Sequence, residues 1–522
     1  MYYFLNESVI QLASGLEHAE FKRIQLFNQF KVPAKIVTVA YSAMTRTNNN
    51  FWHLSEENFV NLYDFYAGTE HFEAKKLGLN QLAIARENYR LEKQPGCARF
   101  WDGQRQVAEV HYINQDTELV STVDYYDGDA QKIRTDVYDE RGFLAYAKFW
   151  ATGDNVSDAY LALEQFYTLT GRPYLEITYR HRDNHVVSTN YRLITADGAI
   201  QSYMNQAQLI AKFYDDLNTR DNFRSTFISD RTAVVNYPMT LMQTPARKIE
   251  CLHSIHFSSY RKPFDEELVY PSLGLTDRLS RTDMVITSTP QQADDIKERL
   301  RTRIPIVNIP VGVVDEQRLD AEQIPMTGSG RIRGKIVEVA RLYSEKNLSE
   351  AILAFKVAHD QLDWLTFDIY GYGDATDGFK EEHHLRELVQ QLNLQDCVQF
   401  KGYTNDIGAV YQQAQLMLLT SRLEGFALAL LEANSYGVPA ISYDTYYGPA
   451  YIIHNDESGY VVPYDDRAAM AAKIVAVMTD PEKLQALSTG AYARAHDFSA
   501  AEVWKLWQTK VIETDPALDL IN

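Results

Sequence analysis

Short apolar runs alternate with amphipathic stretches from the first residue of this chain. MYYFL opens as an aromatic, apolar strand and ASGL as a turn. Glu17 to Phe30 carries Phe21, Ile24, Leu26, Phe27 and Phe30 at helical spacing. AKIVTVAY then reads as a buried strand. Strand, helix, strand is the opening of an α/β domain. Residues 52–95 read as mainly helical. From about residue 98 to 200 the period changes to two. RQVAEVHYI, LVSTVDYY, KIRTDVY, FLAYAKFW, YLEITYR and VVSTNYRLI are short alternating runs. Asp102-Gly103, Asp127-Gly128, Arg141-Gly142 and Asp197-Gly198 fall between or beside them. Glycine accepts the positive φ that tight hairpins need. The pattern predicts an antiparallel, Tyr-rich sheet inserted into the α/β domain. Within it DYYDGD, Asp124 to Asp129, reads as a hairpin turn ahead of an acidic metal loop.

After residue 205 the α/β pattern returns, with TAVVNYP, KIECLHSIHF and MVITSTP as strand candidates. PIVNIPVGVVD marks a domain crossing. A second α/β domain follows in regular alternation: strand KIVEVARL, a helix over 346–361, strand LTFDIYGYG, helix HHLRELVQQLNL, strands CVQFKGY and AQLMLLTS, helix ALALLEANSYG and strand VPAISYD. Such alternation predicts a parallel, doubly wound sheet. The expected fold class is α/β, two Rossmann-like domains with a β-rich insertion in the first. The expected boundaries are 1–50 with 206–315, insertion 51–205, second domain 316–505, and a tail or crossover helix over 506–522.

Composition narrows the function. A chain of 522 residues suits two or three domains. The formal charge of -19 with no Lys/Arg block argues against nucleic acid as a partner. The N-terminus lacks a basic, apolar signal sequence, and no stretch reads as a membrane span. Cys97, Cys251 and Cys397 are widely spaced and form no CxxC pair, which suits thiols in a reducing compartment. A cytoplasmic protein is expected.

The candidate chemistry gathers at the ends of the second domain's strands. Arg341 and Lys346 follow KIVEVARL, at the rim where open α/β sheets bind ligands. Two cations there suit a diphosphate; the alternative is a solvated loop. Glu424 precedes the helix ALALLEANSYG and Glu432 lies about two turns into it, two carboxylates that can face one cleft from different depths. Gly425, Phe426 and Ala427 offer amides at that helix start, where phosphate oxygens bind; Glu432 suits ribose hydroxyls. A cap and a helix-surface carboxylate are the alternative. Gly15 falls between first strand and first helix, where a missing side chain lets a phosphate or sugar approach the backbone. Gly371 and Gly373 end another strand as a rim loop. His253 and His256 follow a strand, and each is either a donor-sugar contact or a core histidine. Metal-ligand spacing is absent.

VARLYSEKN followed by SRLEGFALALLEANSYGVPAISYD resembles the donor site of glycosyltransferase family 4, a GT-B fold family. That resemblance implies Arg341 and Lys346 as pyrophosphate ligands, Glu424 near the donor sugar, Glu432 as ribose ligand and Gly15 as the N-terminal glycine loop. It also implies a histidine facing the site, His253 in preference to His256. One departure is Ala427 where EGFG is common, and Ser14-Gly15 stands where relatives have two glycines. The whole length is similar to the poly(glycerol/ribitol-phosphate) α-glycosyltransferases of wall teichoic acid and to the accessory-Sec adhesin glycosyltransferases. The resemblance implies retaining, metal-independent transfer from a UDP-sugar, with no cofactor. Glucose onto poly(glycerol-phosphate) is the preferred reaction. UDP-GlcNAc-dependent modification of Ser-rich adhesins, or a non-catalytic partner subunit, is the alternative. A homo-oligomer formed through the inserted sheet, and peripheral contact with the inner membrane face, are further expectations.

Overall fold

The computed structural model describes residues 1–114, 117–151, 159–182, 185–264, 267–328 and 330–515. Residues 516–522 of the expected tail lie outside the described residues. Two compact units form, Met1–Lys248 and Ile249–Asn522.

In the first unit, β1 (Tyr2–Asn6) pairs in parallel with β2 (Ala34–Thr38), and β2 with β3 (Phe59–Asn61). All five residues of β1 are buried, as a strand covered on both faces requires. The first helix, Gly15–Gln29, lies between β1 and β2. The ten strands that follow are β4 (Arg90–Gln94), β5 (Cys97–Asp102), β6 (Arg105–Asn114), β7 (Thr117–Tyr126), β8 (Lys132–Tyr138), β9 (Leu144–Ala151), β10 (Tyr160–Tyr167), β11 (Pro173–Arg182), β12 (His185–Ile194) and β13 (Ile200–Tyr203). They form one antiparallel sheet in chain order, each strand beside its sequence neighbour. The four expected Gly turns all fall at hairpins or strand ends, with Gly103, Gly142 and Gly198 at φ +62°, +89° and +87°. The DYYDGD turn is a hairpin: Asp127 Oδ1 accepts from the amides of Asp129 and Gln131, both at 2.9 Å. The chain then returns through the helix Gln206–Arg220 to β14 (Thr226–Ser229), which pairs in parallel with β1.

Three expectations change here. Residues 52–95 are not mainly helical: they hold β3, the short helix Leu62–Ala67, three 3₁₀ turns and β4. Because Phe59–Asn61 pairs with β2, that stretch belongs to the parallel sheet and not to the inserted one. TAVVNYP is not a strand but the start of the helix Thr232–Leu241; the neighbouring strand is β14.

The boundary at Ile249 falls within β15 (Arg247–Leu252), which is followed by β16 (Met284–Thr287) and β17 (Ile306–Asn308), parallel and in that order. A six-stranded parallel sheet follows: β18 (Lys335–Val339), β19 (Thr366–Tyr370), β20 (Val398–Gly402), β21 (Leu416–Leu419), β22 (Ala440–Tyr443) and β23 (Gly459–Val462). Its order is β20-β19-β18-β21-β22-β23, so the direction of winding reverses between β18 and β21. Helices Leu348–His359 and Leu428–Ser435 follow the two strands at that reversal. Ile336, Phe355, Phe367 and Leu418 are fully buried in the core on one side; Val337, Met417 and Leu430 are buried on the other. Among the described residues no helix is long and apolar enough to cross a membrane.

Candidate functional site

The carboxyl ends of β18 and β21 are where the winding reverses, and open α/β sheets leave a crevice at such a point. The loop after β18 carries Arg341 and Lys346. The loop after β21 carries Glu424. The structure brings the last two together: Lys346 Nζ lies 2.7 Å from Glu424 Oε1, with side chains 18% and 11% exposed. Arg341 pairs with Glu345 at 2.9 Å and its guanidinium lies over the Tyr343 ring. One main-chain bond and one side-chain bond hold the loops to each other. The Arg422 amide donates to Glu345 O at 2.8 Å, and Asn347 Nδ2 to Thr420 O at 3.2 Å.

Backbone packing fixes the rest of the rim. Leu342 N donates to Tyr372 O at 2.8 Å. Gly371 sits at φ +148°, and a Cβ there would lie 1.8 Å from Ala340 O. A Cβ on Gly425 would lie 2.1 Å from His253 O, and one on Gly448 2.0 Å from Phe426 O. Glycine at these places is therefore a steric condition for the loops to meet. Gly373 is looser, its nearest neighbour being the Glu382 carboxylate.

Several predicted residues acquire definite places. Phe426 is buried, edge-on to Tyr451 and Phe498, so only its main chain faces the loop. Ala427 caps the helix Leu428–Ser435 at φ +69°, ψ +64°. Glu432 is the fifth residue of that helix, just over one turn in rather than two, and half-buried. The two histidines separate. His253 is half-buried and its main chain touches the Glu424–Gly425 loop. His256 is fully buried, stacked on Tyr447, with Nε2 3.2 Å from Pro263 O. Burial pushes it down to about 4, so it is a neutral core histidine.

Gly15 belongs to the first unit, as the first residue of its helix. Glu17 closes a capping box there, accepting from the Ser14 amide at 2.8 Å, and pairs with Arg231. Burial raises Glu17, but the Ser14 hydrogen bonds and the Arg231 charge outweigh it and hold the carboxyl below its usual range. Glu17 and Arg231 escaped notice in the sequence, although Ser-x-x-Glu before an apolar run is a legible cap. Glu338 also escaped. It is a fully buried carboxyl inside β18, and its signal was a single acid within the apolar run KIVEV.

Residues 328–494 match the family described as glycosyl transferases group 1. The chain is similar to the UDP-N-acetylglucosamine–peptide N-acetylglucosaminyltransferase GtfA subunit of Streptococcus pneumoniae serotype 4, 25% identical over 98% of this chain and 99% of that one. It is similar to the poly(glycerol-phosphate) alpha-glucosyltransferase of Bacillus subtilis, 22% identical over 86% of this chain and 64% of that one. The solved structure of TarM superposes with a TM-score of 0.80 at 17% identity, covering 97% of each chain. The fold is GT-B.

Proposed function

We propose that this chain is a glycosyltransferase that transfers a hexose from a UDP-sugar to a hydroxyl acceptor with retention at the anomeric carbon, a reading supported by the match of residues 328–494 to glycosyl transferases group 1. The observation that carries this reading is the Lys346–Glu424 pair, 2.7 Å apart where the second sheet reverses its winding. In the proposed site Lys346 and Arg341 bind the diphosphate and Glu424 holds Lys346 in place beside the donor sugar. The main chain at Gly425–Ala427 adds amide donors, and Glu432 takes the ribose hydroxyls. Gly371 and Gly373 line the rim, and His253 faces the sugar. Gly15 is proposed to admit a phosphate or sugar to the backbone of the first unit.

The bond from C1 of the sugar to the β-phosphate oxygen breaks as the acceptor oxygen bonds to C1 on the same face. The acceptor proton passes to the departing phosphate, so no protein base is required. Cations placed where the leaving-group charge develops lower the barrier. They also supply the charge a metal ion would bring, so activity is expected to survive a chelator.

For the acceptor, the end-to-end match to a peptide N-acetylglucosaminyltransferase supports N-acetylglucosamine transfer to serine-rich protein. The net charge of -19 supports the same reading, since it opposes a polyanionic acceptor. Glucose transfer to poly(glycerol-phosphate) is the second reading, supported by the B. subtilis relative. Labelled UDP-N-acetylglucosamine and UDP-glucose, each offered to a serine-rich peptide and to poly(glycerol-phosphate) with chelator present, separate the two. Glu424→Gln is expected to lower transfer by ~10²–10³-fold; full activity in that variant would remove Glu424 from the mechanism.

A further inference from the structure

Glu338 lies inside β18 between Val337 and Val339 and is fully buried. A carboxylate there needs a cation in hydrogen-bond contact, because an unpaired buried charge is strongly unfavourable. Its contacts are different. Oε1 faces Thr420, whose amide N lies at 3.3 Å and whose hydroxyl oxygen lies at 3.4 Å. Oε2 is buried with no hydrogen-bond partner. The Thr420 hydroxyl has one proton and three oxygens around it: Asn347 O at 3.0 Å, Lys346 O at 3.3 Å and Glu338 Oε1 at 3.4 Å. The nearest, Asn347 O, takes the proton. The Thr420 oxygen then faces Glu338 as an acceptor, and a protonated carboxyl resolves that contact by donating to it.

We propose that Glu338 is a positioning residue: as an uncharged proton donor to Thr420 it holds the Lys346 turn against the strand end that leads to Glu424. The inference rests on the reading of Lys346 and Glu424 as donor-site residues. The route is short. Thr420 directly follows β21, four residues before Glu424, and its carbonyl accepts from Asn347 Nδ2 at 3.2 Å. Asn347 directly follows Lys346 and is left-handed, at φ +54°. The chain Glu338–Thr420–Asn347 therefore sets the backbone on both sides of the Lys346–Glu424 pair. Burial holds the carboxyl uncharged, pushing it up to about 8, while the Thr420 amide, which donates to Oε1, and the Lys346 charge only partly pull it back and Glu424 pushes it further. The other charges nearby are already engaged. Lys335 and Asp368 pair at 3.0 Å on the opposite face of β18 and β19, and Glu350, at the start of Leu348–His359, binds Arg467 at 2.6 Å. Ionised, Glu338 would lose its donor and compete with a diphosphate for Lys346.

Its protonated form is favoured in the folded state above the unfolded value of ~4.3. Between that value and about 8 the native chain binds more protons than the unfolded one, so stability falls as pH rises through that window. Glu338→Gln is always neutral and keeps an N–H donor.

Two measurements on the full chain test this: the thermal midpoint against pH without ligand, and UDP affinity by calorimetry over the same range. Glu338→Gln is expected to flatten the pH slope of the midpoint and to bind UDP within about twofold of the parent near neutral pH. Glu338→Leu, with no donor, is expected to bind UDP about tenfold more weakly. Parallel pH slopes for parent and Glu338→Gln would overturn the proposal, as would a Glu338→Gln loss of UDP affinity equal to that of Glu338→Leu. If Glu338→Leu does not fold, the parent and Glu338→Gln slopes still decide. Unchanged UDP affinity in Lys346→Ala would instead overturn the donor-site reading, leaving the midpoint slopes to judge Glu338 by themselves.

Discussion

Ala427 occupies a backbone conformation that suits glycine, at φ +69°. An L-residue there is strained by ~1–2 kcal/mol. Its methyl is 7% exposed within the core cluster around Leu430 and Leu431, which returns up to ~0.8 kcal/mol. Together with the ~0.4–1 kcal/mol of extra backbone entropy that glycine would lose on folding, this roughly offsets the strain, which is the physical reason EGFA can stand where EGFG is common. Ala427→Gly is therefore expected to leave the thermal midpoint close to its parent value. Ala427→Val adds β-branching at positive φ and is expected to lower it by several degrees; an unchanged midpoint in the valine variant would mean the turn relaxes. At this scale the sequence was legible in where Arg341, Lys346 and Glu424 stand, in the loops after β18 and β21, because each follows a clear apolar run. Spacing left both histidines open and only the resemblance preferred His253, because CLHSIHF places both after the same strand and packing alone puts His256 beneath Tyr447. For Glu338 the signal was a single acid in the apolar run KIVEV, and only the buried packing of β18 shows what it contacts.

Long, regularly alternating elements were legible and short ones were not. β18 to β22 were all anticipated, because each combines an apolar run with a following helix or glycine turn. β14 has four residues and was passed over. TAVVNYP, β-branched and apolar, then took its place as a strand, yet it is helical, with Val235 and Met239 one turn apart and fully buried. Short apolar runs are ambiguous between the two periods, and tertiary packing decides. A tight constraint falls at the end of β19. A Cβ on Gly371 would fall 1.8 Å from Ala340 O, and φ +148° is closed to other residues. Gly371→Ala is expected to destabilise the second unit by ~3 kcal/mol or more. Chemical denaturation that showed an unshifted midpoint would mean β18 and β19 can part at that rim without loss.

Across the molecule, the inserted sheet has an open flank. β13 covers only Tyr191–Ile194 of β12, and Val186 and Val187 in the uncovered half are 43% and 42% exposed. Uncovered strand edges with apolar side chains pair with other chains. Our proposal that this sheet forms a homo-oligomer predicts a mass above one chain by light scattering, reduced to one chain by joint Val186→Lys and Val187→Lys. A monomeric parent would remove that role from the sheet. The chain order of the ten strands also has a kinetic side. On the ribosome each of them meets its partner as soon as the next hairpin emerges. β1 is different, because its β14 flank is 224 residues away from Tyr2 to Thr226. At ~5–20 residues per second that flank stays bare for roughly 10–45 seconds of synthesis. A largely apolar nascent strand waiting that long is where a chaperone would find something to hold.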